Sequence, residues 1–229
     1  MAEWLTEIKK RERDEVVKKL LFGNLFFYQK IFRKNGVLYG IEILTRGNVN
    51  PTNQTDYTIF LEGIEFLFEI GAFSRFNERN LKIHFNLFPT TIPLIGWEFV
   101  SQISQGVLVV EVLERNIEQY LSYVDYLKDK GIQVALDDFG KGDSNFAVLD
   151  KFDILKVDCE VVKNCFWFTD YMKKAYPDKL IILEKANGIV QNPKLWQDCK
   201  ADAYQCFYLH KPEPLTGDVL KRMLKELKN

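Results

Sequence analysis

Apolar residues fall along this chain in short, nearly continuous runs, and between most of them lie stretches whose apolar positions recur with a helical period. Eight runs read as strands: NLFFYQKIF, VLYGIEILTR, LKIHFNLF, VLVVEVLE, IQVALDDF, DILKVD, KLIILEKA and AYQCFYL. Runs this continuous suit strands buried on both faces, where no polar alternation is needed. Helices are predicted over about 55–73, 95–103, 116–130, 160–175, 193–199 and 217–227, with a short one after Ser144. Gly131 lies just past one of them, and Pro177 stops another. The dipeptide Asn35-Gly36 separates the first two runs and is a strong hairpin signal, so those strands should be antiparallel neighbours. Residues 1–20 predict a further amphipathic helix, whose charged face either lies solvated across the end of the fold or meets a partner.

Repeated strand–helix units point to a parallel sheet, closed or open. Eight strands in 229 residues favour the closed form, an α/β barrel of the (β/α)8 type. The initial hairpin makes it a modified barrel, because a regular one has a helix between its first two strands. No GxGxxG or phosphate-loop lysine motif follows the early strands, which counts against a nucleotide-binding open sheet. No repeat, low-complexity tract or linker divides the chain, so a single domain spanning 1–229 is expected.

Composition removes several classes of function. Lys and Arg number 31 against 32 Asp and Glu, so there is no global attraction for nucleic acid or anionic lipid. Neither DNA nor RNA is an expected partner, and an anionic substrate would have to be recognised locally. Cys159, Cys165, Cys199 and Cys206 form no CxxC pair or zinc-type spacing, and with only His84 and His210 an imidazole-built zinc site is not expected. No run approaches the roughly 18 apolar residues of a spanning helix, so no membrane insertion is expected. The N-terminal stretch is charged, without a cleavable apolar core, and a reducing cytoplasm with the cysteines as buried thiols is the expected setting.

The residues on which the runs end change the picture more. Glu42 in GIEILTR, Asn86 in IHFNLF, Glu111 in VLVVEVLE, Asp137 and Asp138 in VALDDFG, Lys156 in DILKVD, Glu184 in LIILEK and Gln205 in DAYQCF all lie at or near a strand end. Taken singly, each has an ordinary explanation. An acid there is emerging into water, Asn86 caps the turn before Pro89, and Lys156 is a surface charge beside Asp158. Taken together they mean more, because a parallel barrel gathers the C-terminal ends of its strands on one face, where catalytic groups sit. Asp137 and Asp138 are strand neighbours, so one should face the axis while the other reaches outward from the rim. Converging carboxylates repel one another and take up protons unless cations compensate them. Oxygen ligands with one amide suit Mg²⁺ or Mn²⁺. The acids are numerous enough for two ions about 3.5–4 Å apart, an arrangement that activates water for in-line displacement at phosphorus.

The segments GIEILTR, FNLFP, VEVLE, ALDDFGKGDSN, LKVD, LEKAN and QCFYLHKP occur in an order and approximate spacing that resembles the bacterial EAL-type cyclic-di-GMP phosphodiesterase domain. YQKIF, ahead of them, resembles that family's QPI strand, and the resemblance covers 26–215. It implies a modified (β/α)8 barrel whose first strand runs against its neighbours, and metal-dependent hydrolysis of cyclic di-GMP to the linear dinucleotide. By motif, Glu42, Asn86, Glu111 and Asp137 would hold one Mg²⁺ or Mn²⁺ ion, and Asp137, Asp138 and Glu184 a second. Lys156 would sit beside the attacking water and lower its pKa, Gln205 would help hold the water and metal shell, and Glu114 would brace the loop after Asp138. Gln29, Leu44 and Arg46 match substrate-contacting positions, with Arg46 near a phosphate, where a guanidinium fork fits. A homodimer through the region after the DDFG loop is also implied.

The chain departs from the family pattern at Lys30, Ile43, Phe88, Leu113 and Cys206, and at Asp143 in the dimer-linked loop. Around Glu184 the family's AEGVE becomes LEKAN, with Lys185 in place of glycine and Asn187 in place of the second glutamate. None of these removes an expected ligand. They leave open the alternative of a catalytically silent EAL-like domain that acts as a cyclic-di-GMP receptor or protein-interaction regulator. The string Asp138-Phe139-Gly140 also occurs in protein kinases, but no glycine-rich loop or HRD loop precedes it here.

Overall fold

All eight apolar runs become strands, and the strands close on one another. The computed structural model describes residues 26–45, 53–113, 117–140, 146–162 and 164–226. The strands are β1 (Phe26–Arg33), β2 (Leu38–Thr45), β3 (Lys82–Leu87), β4 (Leu108–Leu113), β5 (Gln133–Phe139), β6 (Ile154–Asp158), β7 (Leu180–Glu184) and β8 (Ala203–Gln205). Their order runs from β2 through β8 to β1, and β1 pairs back onto β2, which closes the ring. Neighbours from β2 to β8 are parallel, whereas β1 is antiparallel to both β2 and β8. The fold is therefore the expected α/β barrel with an antiparallel first strand. The reversing hairpin depends on Gly36, whose φ of +81° lies in the left-handed region that L side chains rarely adopt. Beside it the Arg33 N–H donates to the Val37 carbonyl at 2.8 Å, and the Val37 N–H donates to Asn35 Oδ1 at 3.1 Å.

Where the elements differ from expectation, a local cause is visible. The helix anticipated over 55–73 is two helices, α1 (Asn53–Glu69) and α2 (Ala72–Asn77), parted at Gly71, which takes φ 67° and ends the first by a left-handed turn. The helix expected from 160 begins only at Cys165, because Asp158 Oδ1 accepts the Glu160 N–H at 2.8 Å and its carbonyl accepts from Val161 and Val162. The last strand stops at Gln205, and the chain turns there, with the Leu209 and His210 N–H groups both donating to the Cys206 carbonyl. A short β9 (Glu213–Pro214) then pairs with β1, which the sequence pattern did not suggest. The expected helix over 1–20, Arg46, Glu114 and Asp143 lie outside the described residues.

Strand residues alternate between two environments. One set, including Ile83, Val110, Leu136, Leu155 and Ile181, packs with helix residues such as Phe60, Trp97, Leu127 and Met172 in the main core. The other set faces the barrel axis, where Ile31, Tyr39, Val109, Ala135, Ile154, Ile182 and Ala203 form a separate apolar cluster. Two residues farther along five of these strands, the same face carries Glu111, Asp137, Lys156, Glu184 and Gln205. The interior is an apolar plug beneath a polar layer.

Candidate metal centre at the strand ends

Lys156, midway along β6, is the hub of the polar layer. Its side chain is fully buried, with Nζ 2.7 Å from Glu111 Oε2, 3.0 Å from Glu184 Oε1, 3.2 Å from Glu42 Oε2 and 3.3 Å from Asp137 Oδ1. Four strands thus deliver one carboxylate each to a single ammonium. The residue is not the surface charge beside Asp158 that it resembles in isolation. Asn86 Nδ2 donates to Glu42 Oε1 at 2.6 Å, and Gln205 Nε2 donates to Glu42 Oε2 at 2.5 Å and to Gln29 Oε1 at 3.1 Å. Gln29 in turn donates to the His210 carbonyl at 2.9 Å, which ties the turn after β8 to β1.

One ammonium does not balance four buried carboxylates, and their proton affinities record the conflict. Burial and the nearby Glu42 charge push Glu111 well above the usual carboxylate range, against the pull of Lys156. Burial likewise raises Asp137, and it pushes Glu184 up to about 8, again with Lys156 opposing. Glu42 goes the other way: burial pushes it up, but the Lys156 charge and the hydrogen bonds from Gln205 and Asn86 together outweigh it. Burial alone would strip Lys156 of its proton; the surrounding Asp137, Glu111, Glu184 and Glu42 overcome that and hold it well above the ordinary lysine value. Lys156 is therefore favoured as a positive charge, and a further cation would oppose the raised proton affinities of Glu111, Asp137 and Glu184.

Oxygen atoms of Asp137, Asp138 and Glu184 lie within 4.8 Å of one another, which brings together the residues expected to hold the second ion. Strand alternation alone would send Asp138 outward. Instead Asp138 takes φ 56°, and the register of β5 against β6 shifts between Leu136 and Phe139, so both carboxylates reach one point. Aspartate tolerates this left-handed conformation better than most residues. Among the described residues, buried Gln205 Oε1 has no hydrogen-bond partner, and Asp137 Oδ1 meets Lys156 Nζ at 3.3 Å. An open amide acceptor beside hard carboxylate oxygens in a low-dielectric site fits a divalent cation and its waters. The residues expected for the first ion surround the same point, where Lys156 now engages Glu42, Glu111 and Asp137. A cavity of about 370 Å³ opens beside the layer, lined by Gln29, Glu42, Leu44, Glu184, Lys185 and Gln205 among others, so two expected substrate contacts, Gln29 and Leu44, share a space with the acids.

Two contacts, Lys185 with Asp158 and His84 with Glu111, were not read from the sequence. Lys185, which stands where the family has glycine, takes φ 51°, yet its charge points away from Glu184: Nζ lies 2.6 Å from Oδ2 of the fully buried Asp158. Its N–H donates to the Gln205 carbonyl at 2.9 Å, and the Cys159 N–H donates to the Glu184 carbonyl at 3.1 Å, so the end of β7 is pinned on both sides. His84, fully buried on β3, places Nδ1 2.7 Å from Glu111 Oε1. Its signal was its position two residues before Asn86, hence on the same strand face.

The EAL domain family model matches residues 67–165. The chain is similar in structure to the EAL enzyme Bd1971 with cAMP and cyclic di-GMP bound (TM-score 0.67, 17% identity, 98% of this chain and 70% of that one). It is similar also to the Bacillus subtilis YkuI protein, with an EAL domain, in complex with substrate cyclic di-GMP and calcium (TM-score 0.61, 21% identity, 93% and 61%). A third likeness is to Klebsiella pneumoniae BlrP1 in a manganese and cyclic-di-GMP complex (TM-score 0.59, 20% identity, 82% and 55%). No curated protein sequence matches the chain. These likenesses show that the chain shares the barrel fold of EAL-domain proteins and matches the EAL family model over 67–165. The stretch that matches the EAL family model by sequence takes in Asn86, Glu111, Asp137, Asp138 and Lys156. Glu42, Glu184 and Gln205 lie outside it, and it is barrel closure that brings them to the same point.

Proposed function

We propose that this chain is a divergent EAL domain that hydrolyses cyclic di-GMP to the linear dinucleotide, using two divalent cations, Mg²⁺ or Mn²⁺, held by the strand-end acids. The observation that carries the reading is the convergence of Asp137, Asp138 and Glu184 beside a cavity that Gln29, Leu44 and Gln205 also line. Solved proteins of the same fold have been captured with cyclic di-GMP and with calcium or manganese, which supports the substrate and the cation class. Glu42, Asn86, Glu111 and Asp137 would hold one cation, and Asp137, Asp138 and Glu184 the other. The ions would lower the pKa of an attacking water and neutralise charge that builds on the phosphate.

The chain's own residues supply the rest. Lys156, whose charged form the surrounding carboxylates favour in the metal-free protein, would sit beside the attacking water as a hydrogen-bond donor and positive charge. Gln205, anchored through Gln29 and Glu42, orients the polar shell. A bond forms between the water oxygen and phosphorus as one ester P–O bond breaks; the water's proton passes to a site carboxylate or to solvent, and the departing ribose oxygen takes one up. Exposed Trp167 and Tyr171 on the helix Cys165–Ala175 support pairing of two copies after the DDFG loop, which sedimentation would test. Incubation with cyclic di-GMP and Mn²⁺, followed by chromatography, should yield the linear dinucleotide, and chelation or Asp137→Asn should abolish it. Nucleotide that stays intact with Mn²⁺ bound would overturn the hydrolase reading; retention of that intact nucleotide by the protein would favour a receptor.

A further inference from the structure

His84 is a buried polar group beside the polar layer that the proposed chemistry leaves unused. It sits on β3, opposite Glu42 of β2 and Val109 of β4, with no exposed side-chain surface. Its ring packs edge-on against Tyr39, 5.7 Å between centroids and 68° between planes. Nδ1 lies 2.7 Å from Glu111 Oε1, and among the described residues Nε2 has no hydrogen-bond partner. The other oxygen of the same carboxylate, Oε2, faces Lys156 Nζ at 2.7 Å. The two oxygens of Glu111 are thus assigned to opposite sides, one to the plug and one to the site.

A cation ligand must be ionised, and an ionised carboxylate only accepts hydrogen bonds, so with Glu111 in that state the imidazole proton belongs on Nδ1. We propose that His84 is a positioning residue: its Nδ1–H holds Glu111 Oε1, fixes the carboxylate plane, and leaves Oε2 alone to serve a divalent cation. This rests on the reading of the strand-end acids as a metal site. The Tyr39 ring and the enclosing barrel fix the imidazole in turn, so that the ligand, its hydrogen-bond donor and the plug form one rigid chain. Partners that orient a ligand in this way typically change metal affinity by about 10–100-fold when lost.

The test is a titration of the purified protein with Mn²⁺, the free ion being read by electron paramagnetic resonance. Two polar variants separate positioning from simple packing. His84→Asn places an amide near the former Nδ1 and should keep Mn²⁺ affinity within about 3-fold, whereas His84→Gln places it near Nε2 and should weaken affinity at least about 10-fold. In a Glu111→Gln background the difference between the two should vanish, as coupling through one contact requires. Equal Mn²⁺ affinity for wild type and both variants would overturn the role of His84 while leaving the metal site standing. Absence of Mn²⁺ binding by the wild type would overturn the metal reading and this inference together.

Discussion

Inside the barrel, two layers lie one step apart on the same strands. Val109 is followed by Glu111, Ala135 by Asp137, Ile154 by Lys156, Ile182 by Glu184 and Ala203 by Gln205. Each step is two residues, about 6.6 Å of strand, and keeps the same face toward the axis. The first layer packs side chains that have nothing to satisfy. The second buries Glu42, Glu111, Asp137 and Lys156, with Glu184 half-buried beside them, and each charge depends on its neighbours. The difference teaches a division of labour. The plug stabilises the closed barrel and, by excluding water, sets the low dielectric that couples the charges above it.

That comparison can be broken from either side. The largest effect is expected above the plug: Lys156→Met would strand four carboxylates without their ammonium, at a cost of about 3–5 kcal/mol in denaturant unfolding. Added Mn²⁺ should restore part of this loss by supplying another cation. Stability equal to wild type in this variant would show that the ammonium is not what compensates the acids. In the plug, Ile182→Ala should cost about 2–5 kcal/mol through lost burial and a cavity. Its Mn²⁺ affinity, read under conditions where it remains folded, should stay within about 3-fold of wild type, because the plug carries no ligand.

The pH response should separate the layers by sign. Glu184 has its proton affinity raised from an ordinary 4.5 to about 8, burial being the main cause. Its contribution to the stability of the metal-free protein is therefore full below about pH 4.5 and is lost as the pH rises through about 8. Metal binding needs the ionised form, so Mn²⁺ affinity should rise across the interval in which metal-free stability falls. Melting curves with chelator and Mn²⁺ titrations at pH 6.5 and 8.5 would reveal whether the two trends oppose each other. The smallest effect belongs to Ile154→Val, about 0.5–1.5 kcal/mol with no change in Mn²⁺ affinity. A marked affinity change there would mean that plug and site are not separable.

Much of the barrel was legible because strand burial leaves a direct trace: continuous apolar runs, a hairpin dipeptide at Asn35-Gly36, and acids where the runs end. The break at Gly71 was missed, because the apolar periodicity runs across it. Other features left no such trace. Lys156 beside Asp158 looks like an exposed pair, yet Lys156 turns to four carboxylates from other strands, and Asp158 is engaged by Lys185 instead. Asp138 looks like the outward neighbour of Asp137 until a left-handed φ and a register shift redirect it.

Taken alone, the sequence determined which segments are strands, which residues end them and that oxygen ligands dominate there, because periodicity and residue chemistry are local properties. Only the tertiary structure decided that Lys156 is the common counter-charge of Glu42, Glu111, Asp137 and Glu184, that Gln205 is anchored through Gln29 and Glu42, and that His84 lies against one oxygen of Glu111. These depend on barrel closure and strand register, which put residues more than 100 positions apart within hydrogen-bond distance. At that range the balance of burial against paired charge, rather than any local preference, sets how each group behaves.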